Sequence, residues 1–218
     1  MAILKNVISR VEVQKKNKDR VNVYIDGEYA FPCSSEVIFL HSIKIGQMVD
    51  ASVLQEIVNM DNFIKCKSAA LKIIERSYKT RKQICGKLVE KDYDEVTIEK
   101  VIDFLKEYKL LDDEKYAEAY IKEKIKNQGK NKIMYALINR GILKEIIEEK
   151  LSLIDDEQEK QAAIILAEKK YSIILKSEND PRKIYKKLGD YLIGKGYNFQ
   201  VVKVALNKIL KEVSDEEY

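Results

Sequence analysis

His41 is the only histidine in the 218 residues, and the three cysteines, Cys33, Cys66 and Cys85, stand far apart. A zinc centre takes its ligands from closely spaced Cys and His, typically as C-x-x-C pairs, and no such pair occurs. Paired carboxylates are common: Asp112-Asp113, Glu148-Glu149 and Asp155-Asp156. They lack the oxygen-rich loop spacing of a calcium site and fall at expected helix ends or faces, where acids favour the helix dipole. A single histidine leaves little for general acid–base chemistry, and its place after an apolar stretch reads as structural. The sequence contains no P-loop, no G-x-G-x-x-G and no G-x-S-x-G. The expectation is a chain with no catalytic residue, no metal site and no cofactor, which acts by binding and is not an enzyme.

The residues that could do binding chemistry are basic, and they recur. Residues 65–91 carry nine Lys/Arg against two Asp/Glu, and 92–118 carry four against ten. Residues 119–144 carry seven against one, 145–168 two against eight, and 169–211 eleven against three. The candidates are Arg76, Lys79, Arg81 and Lys82 in the first basic block, and Lys126, Lys130, Lys132 and Arg140 in the second. The third block supplies Arg182, Lys183, Lys186, Lys187 and Lys195. Such segments would meet an acidic protein surface or phosphate, against the plainer reading that they are solvated lysines of a charge-rich helical protein. Tyrosines such as Tyr116, Tyr135 and Tyr197 could stack on bases, although their helical spacing fits core packing at least as well.

A threefold repeat must position these blocks. RKQICGKLVEKDYDEVTIEKVIDFL from Arg81 aligns at an offset of 49 with KNKIMYALINRGILKEIIEEKLSLI from Lys130. KKLGDYLIGKGYNFQVVKVALNKIL from Lys186 aligns with the second at an offset of 55. Ile84/Leu88, Ile133/Leu137 and Leu188/Leu192 at i, i+4 set the apolar face of a middle helix. Asp92, Gly141 and Gly196 fit the left-handed residue that ends it. An apolar helix precedes each, from Ala69, Tyr116 and Ala162, and a third follows, so each unit reads as three helices. Units of about fifty residues have little core of their own and should share apolar surface in an elongated, curved array.

Residues 1–60 differ. Val21, Val23 and Ile25 alternate before Asp26-Gly27, then Tyr29 and Phe31 follow, a hairpin signal. Val7–Val13 would add a third strand. Residues 34–40 and 51–63 read as helices capped by Ser34 and Ser52. The expected organisation is an N-terminal β-containing module over 1–60 and three-helix repeats over 61–112, 113–158 and 159–218, the last with an acidic tail. The fold class is mainly α.

Composition agrees with that class. Charged residues make up 35% and hydrophobic ones 45%, with two prolines and eight glycines. This excludes collagen-like, sandwich and wholly disordered chains. The net charge of +4 is too small to argue for nucleic acid by itself. No leader-like apolar run opens the sequence and nothing approaches ~18 apolar residues, so neither export nor a membrane span is expected. Three unpaired cysteines suit a reducing compartment, and the expected location is the cytoplasm.

The chain resembles the RecX family, regulators of the RecA recombinase. The resemblance rests on the run from Arg76 to Ile121, on Asn127-Gln128-Gly129-Lys130, on INRGI from Ile138 and on LIGKGYNFQVVKVAL from Leu192. Its most specific part is Leu111-Asp112-Asp113 followed by Tyr116-Ala117, with Gly129 ahead of a basic helix. Asp92 stands where the family pattern prefers glycine, and lysines replace many arginines. The hairpin module is similar to an N-terminal extension that some members carry. The resemblance implies a monomeric protein of recombination, DNA repair and the SOS response. It would bind RecA and RecA–single-stranded DNA filaments, bind DNA weakly and depress ATP hydrolysis, strand exchange and filament growth. The alternative from the residues is a stand-alone helical-repeat nucleic-acid-binding protein or a helix-turn-helix-like DNA binder. Against the latter, acids Asp94-Glu95 and Glu145 open two of the three candidate recognition helices and would face phosphate.

Overall fold

The alternation around Asp26-Gly27 produces the expected hairpin in the computed structural model, which describes residues 6–216, with side chains to residue 210. The opening residues read above for a leader lie partly outside that range, and the acidic end at 214–218 has no described side chains. Strands β1 (Ile8–Val13), β2 (Arg20–Ile25) and β3 (Glu28–Ser34) form an antiparallel sheet in that order, with Val21 opposite Cys33 and Val23 opposite Phe31. Asp26 and Gly27 both have positive φ, 49° and 89°, as a two-residue turn of the primed type demands.

Among the described residues ten helices follow the sheet: α1 (Ser35–Leu40), α2 (Ala51–Arg76), α3 (Arg81–Val89), α4 (Glu95–Glu107), α5 (Asp113–Lys124), α6 (Lys130–Asn139), α7 (Lys144–Ser152), α8 (Asp156–Ile174), α9 (Pro181–Gly194) and α10 (Phe199–Glu216). The chain divides into two compact units, one formed by residues to 78 with 84–111, the other by 79–83 with 112 onward.

In the first unit the inner sheet face, Ile8, Val21, Val23 and Cys33, packs with Val37, Ile43, Val49 and Ile57. Ser34 caps α1 as expected, accepting from the Glu36 N–H. The cap of α2 is Asp50 rather than Ser52: its carboxylate accepts from the Ser52 and Val53 N–H groups. Aspartate places an ionised acceptor at the positive helix end, which a serine two residues further in does not. The helix expected over 51–63 and the one expected from Ala69 are also one continuous 26-residue helix. No proline, glycine or unpaired turn interrupts residues 51–76, so nothing in the local sequence stops it. Ile57 of α2 belongs to the sheet core, whereas Cys66 and Ala70 join Ile84, Leu88, Ile98, Val101, Ile102 and Leu105 in a second core.

The second unit repeats the three-helix core twice. Ala117, Ile121, Ile133, Leu137, Ile147 and Leu151 fill one copy, and Ala163, Ala167, Leu188, Leu192, Val202 and Leu206 belong to the other. The expected faces of the middle helices are met: Leu88, Leu137 and Leu192 are all fully buried. Their ends are identical too. Asp92, Gly141 and Gly196 have φ of 62°, 84° and 89°, and the next N–H (Tyr93, Ile142, Tyr197) donates to the carbonyl of Leu88, Leu137 and Leu192 at 3.2–3.3 Å. This is the six-to-one bond that closes a helix on a left-handed residue.

Burial pushes the Cys33 and Cys66 thiols up to about 11 from the usual 9.0, with the charges of Asp61 and Asp94 respectively adding to the effect. The Tyr197 hydroxyl is pushed up to about 12 from 10.0, mainly by burial and then by Glu159. It has no hydrogen-bond partner among the described residues. Folded values above unfolded ones mean stability that is complete below the unfolded pKa and lost as pH rises through the folded one. The melting temperature should therefore hold to about pH 8.5 and fall progressively between pH 9 and 12. Melts followed by circular dichroism that stay level through pH 11.5 would refute this.

Candidate functional site

The basic candidates separate by what their side chains touch. In the second unit an equivalent joint, built from different donors, occurs twice at the start of a middle helix. The Thr80 hydroxyl donates to the Arg140 carbonyl (2.7 Å) and the Arg81 N–H to Asp113 Oδ1 (2.9 Å). At the equivalent positions the Gly129 N–H donates to the Lys195 carbonyl (3.0 Å) and the Lys130 N–H to Glu159 Oε1 (2.8 Å). In both, the helix start meets the end of the following middle helix, and a carboxylate from the following first helix takes the first free N–H. Glu159 does this while only 2% exposed. A carboxylate at a helix N-terminus answers both the orphan donor and the dipole.

This joint uses several residues that the sequence had offered as partner contacts. Lys130 Nζ donates to the Ile154 carbonyl (3.0 Å) and pairs with Asp156 (2.8 Å), holding that carboxyl below the usual carboxylate range. Lys132 Nζ donates to the Gly194 carbonyl (3.0 Å), and its stem lies against Gly196. Arg140 donates from Nη1 to the Ala136 carbonyl (2.7 Å) and from Nε to the Tyr116 hydroxyl (3.2 Å), with its guanidinium 4.6 Å from the Tyr120 ring centre. Each of the three thus makes contacts that hold the fold together. The tyrosines that could have stacked on bases are in part occupied the same way: Tyr116 and Tyr120 stack on each other at 6.2 Å, and Tyr197 is core. Tyr135 is exposed.

The remaining candidates reach solvent. Lys82, Lys126, Arg182, Lys183 and Lys186 are exposed, and Lys79 is half-buried; none of their side chains makes a hydrogen bond or ion pair among the described residues. Arg76, also exposed, closes α2 in the first unit. Lys187 pairs with Glu178 (2.8 Å), and the Lys195 ammonium stands 5.5 Å from the Tyr191 ring. Exposed Arg81 is fixed through its backbone. The starts of α4 and α7 present Glu95 and Glu145 to solvent, which opposes phosphate, whereas α10 opens on exposed Phe199 and Gln200. Among the described residues no group of His, Cys, Asp and Glu is arranged to hold a metal, and no helix is long and apolar enough to cross a membrane.

Four family models match in order: the regulatory protein RecX N-terminal domain over residues 6–50, and the first, second and third three-helix domains of RecX over 66–105, 112–151 and 156–206. The regulatory protein RecX of Clostridium tetani is 54% identical over 205 residues, covering 94% of this chain and 95% of that protein. The regulatory protein RecX of Clostridium perfringens strain SM101 is 47% identical over 97% of this chain and 98% of its own. A crystal structure of regulatory protein RecX superposes with a TM-score of 0.74 at 28% identity, over 92% of this chain and 98% of that one. The RecX structure from Lactobacillus salivarius gives 0.61 at 27% identity, over 68% and 97%. With its N-terminal sheet module, three three-helix domains and matches along nearly its whole length, the chain belongs to the RecX family of regulatory proteins.

Proposed function

We propose that this chain binds RecA and RecA–single-stranded DNA filaments and restrains ATP hydrolysis, strand exchange and filament growth, acting as a cytoplasmic monomer through binding and not catalysis. The observation that carries this reading is the ordered match of all four family domains, supported by close identity along nearly the whole chain. The geometry supplies cations for the contact: Lys82, Lys126, Arg182 and Lys183 are exposed and unpaired among the described residues, so they reach an acidic surface without first breaking an internal bond.

The test is charge reversal followed by RecA ATPase on single-stranded DNA. Lys82→Glu with Lys126→Glu, and Arg182→Glu with Lys183→Glu, should each weaken inhibition at least ~10-fold. Stability should move by no more than ~0.5 kcal/mol, because the side chains are exposed and unpaired. The dependence of log affinity on log salt should also become shallower. Glu95→Lys with Glu145→Lys should leave inhibition intact or strengthen it. If the acidic variant abolishes inhibition while the basic variants inhibit like the parent, the contact lies at the acidic starts of α4 and α7 instead. Lys130 and Lys132 do not suit this experiment, because reversing them would break the joint they build.

A further inference from the structure

The first unit holds a basic cleft that the charge blocks of the sequence do not single out. It has a volume of about 520 Å³, within the range of ~300–1,000 Å³ that small ligands occupy. One wall is a face of α2, where Lys65, Ser68, Lys72 and Arg76 follow one another at spacings of three and four residues. Opposite it come Lys91 and Tyr93, which flank the left-handed Asp92 that closes α3. The loop before β2 and the strand itself add Asp19 and Arg20.

The cations here fall into two classes. Arg20 and Lys65 are both paired with Asp61, which is 4% exposed: Arg20 spans both carboxylate oxygens at 3.3 Å and Lys65 reaches one at 2.7 Å. Asp61 also accepts the Ser34 N–H at 2.8 Å. Lys72, Arg76 and Lys91 have no such partner; all three are exposed, and their side chains make no hydrogen bond or ion pair among the described residues. Three charges of one sign converging on a concave surface repel one another, and an anion seated between them relieves that repulsion. The rest of the lining is mixed: Asn17, Asp19, Ser34 and Ser68 are polar, Asp19 being its one acid, and the remainder is apolar or aromatic. Ile64, Ala69 and Ile73 are half-buried, as is the Tyr93 ring, whose hydroxyl makes no hydrogen bond among the described residues. A carboxylate-rich peptide would use the cations but leave that surface uncovered, whereas a nucleotide has a phosphate for the first and a flat base for the second.

We propose that this cleft binds a nucleotide unit, its phosphate held by Lys72, Arg76 and Lys91 and its base laid against Tyr93 and Ile73. The occupant is one residue of a single strand or a free nucleotide, and the two share this chemistry. The experiment uses the full chain without RecA, so its failure leaves the reading above untouched. A fluorescent oligothymidylate, ADP, inorganic phosphate and an oligoglutamate peptide are titrated separately at low salt. Lys72→Gln with Arg76→Gln is compared with Lys87→Gln with Lys106→Gln, an exposed pair from the same unit outside the cleft. The cleft pair should weaken oligothymidylate or ADP at least ~10-fold and flatten the salt dependence, the control pair no more than ~2-fold. Photo-crosslinking of an oligonucleotide containing 5-iodouracil should map to the peptide that carries Tyr93. Binding of the oligonucleotide alone identifies a strand, and binding of ADP a free nucleotide. Equal losses in both variant pairs, tighter binding of oligoglutamate, or crosslinks confined to residues beyond 111 would each overturn the proposal.

Discussion

Truncating Leu137 to alanine is expected to destabilise the protein by about 2–5 kcal/mol, with Leu88→Ala and Leu192→Ala in the same range. All three side chains are fully buried at one repeat position, and each belongs to a separate small core. The Leu137 core contains Ala117, Ile121, Ile125, Ile133, Ile142, Ile147 and Leu151 and no aromatic residue among its fully packed members. Few neighbours can move in to fill the space of a lost isobutyl group, so the cavity persists and the upper half of the range applies. Leu137 also accepts, through its carbonyl, the Ile142 N–H that closes α6, so loosening it unsettles the helix end as well. Leu137→Met keeps the volume and should lose less than ~1.5 kcal/mol. Urea unfolding of the three alanine variants checks the claim, and midpoints equal to the parent would show that the register of the middle helices is wrong.

Gly196→Ala carries the second large effect, and Gly27→Ala isolates its cause. Both glycines have φ of 89°, so a Cβ at either meets the same conformational penalty of about 1–2 kcal/mol. At Gly27 nothing lies within 4 Å of the added carbon. At Gly196 it would stand 2.6 Å from the Lys132 backbone nitrogen and overlap the Lys132 Cβ. Backbone at the start of α6 cannot swing aside as a side-chain tip would, which adds about 1–3 kcal/mol of overpacking. Gly196→Ala should therefore lose about 2–5 kcal/mol and Gly27→Ala only about 1–2. Gly129→Ala has an ordinary φ of −75° and meets only the clash, its Cβ running into the Gly196 carbonyl, so it should lose about 1–3 kcal/mol. Thermal melts in which the Gly27 and Gly196 variants shift equally would mean that the joint between the two middle helices yields easily.

The repeated pattern was legible because it is local. Leucine at i+4 from another aliphatic residue and a left-handed residue four further on are spacings within one helix and its cap, and Leu88, Leu137 and Leu192 fulfil them. The Asp26-Gly27 hairpin was legible for the same reason. What escaped was set by contacts far apart in sequence. Nothing near Lys130 announces that it reaches Asp156 and Ile154, or that Lys132 reaches Gly194. Charge blocks alone therefore assigned to a partner residues that the fold itself employs. One signal was available: Gly129 stands immediately before a basic helix with no capping side chain, and the missing acceptor is supplied by Glu159 Oε1, which takes the Lys130 N–H. Glu159 also carried a hint, since it shares a helix face with Ala162 and Ala163 that the apolar periodicity assigns to the core. The cleft beside α2 was hidden because its wall crosses the place where two shorter helices were expected.

The continuity of α2 makes the number of residues between Ile57 and Cys66 a matter of phase. A helix turns by ~100° and advances ~1.5 Å with every residue, so one inserted amino acid would swing the Cys66–Ala70 face by over a quarter of a turn while Ile57 stayed seated under the sheet. Lys72 and Arg76 would rotate with it, away from Arg20 and Ser34. The shortest insertion that brings both faces back into phase to within ~20° is about seven residues, or two turns, and it would part them by ~10 Å. Length change in this chain should therefore be absorbed in the loops and excluded from α2, so the helix acts as a ruler whose graduations are whole turns.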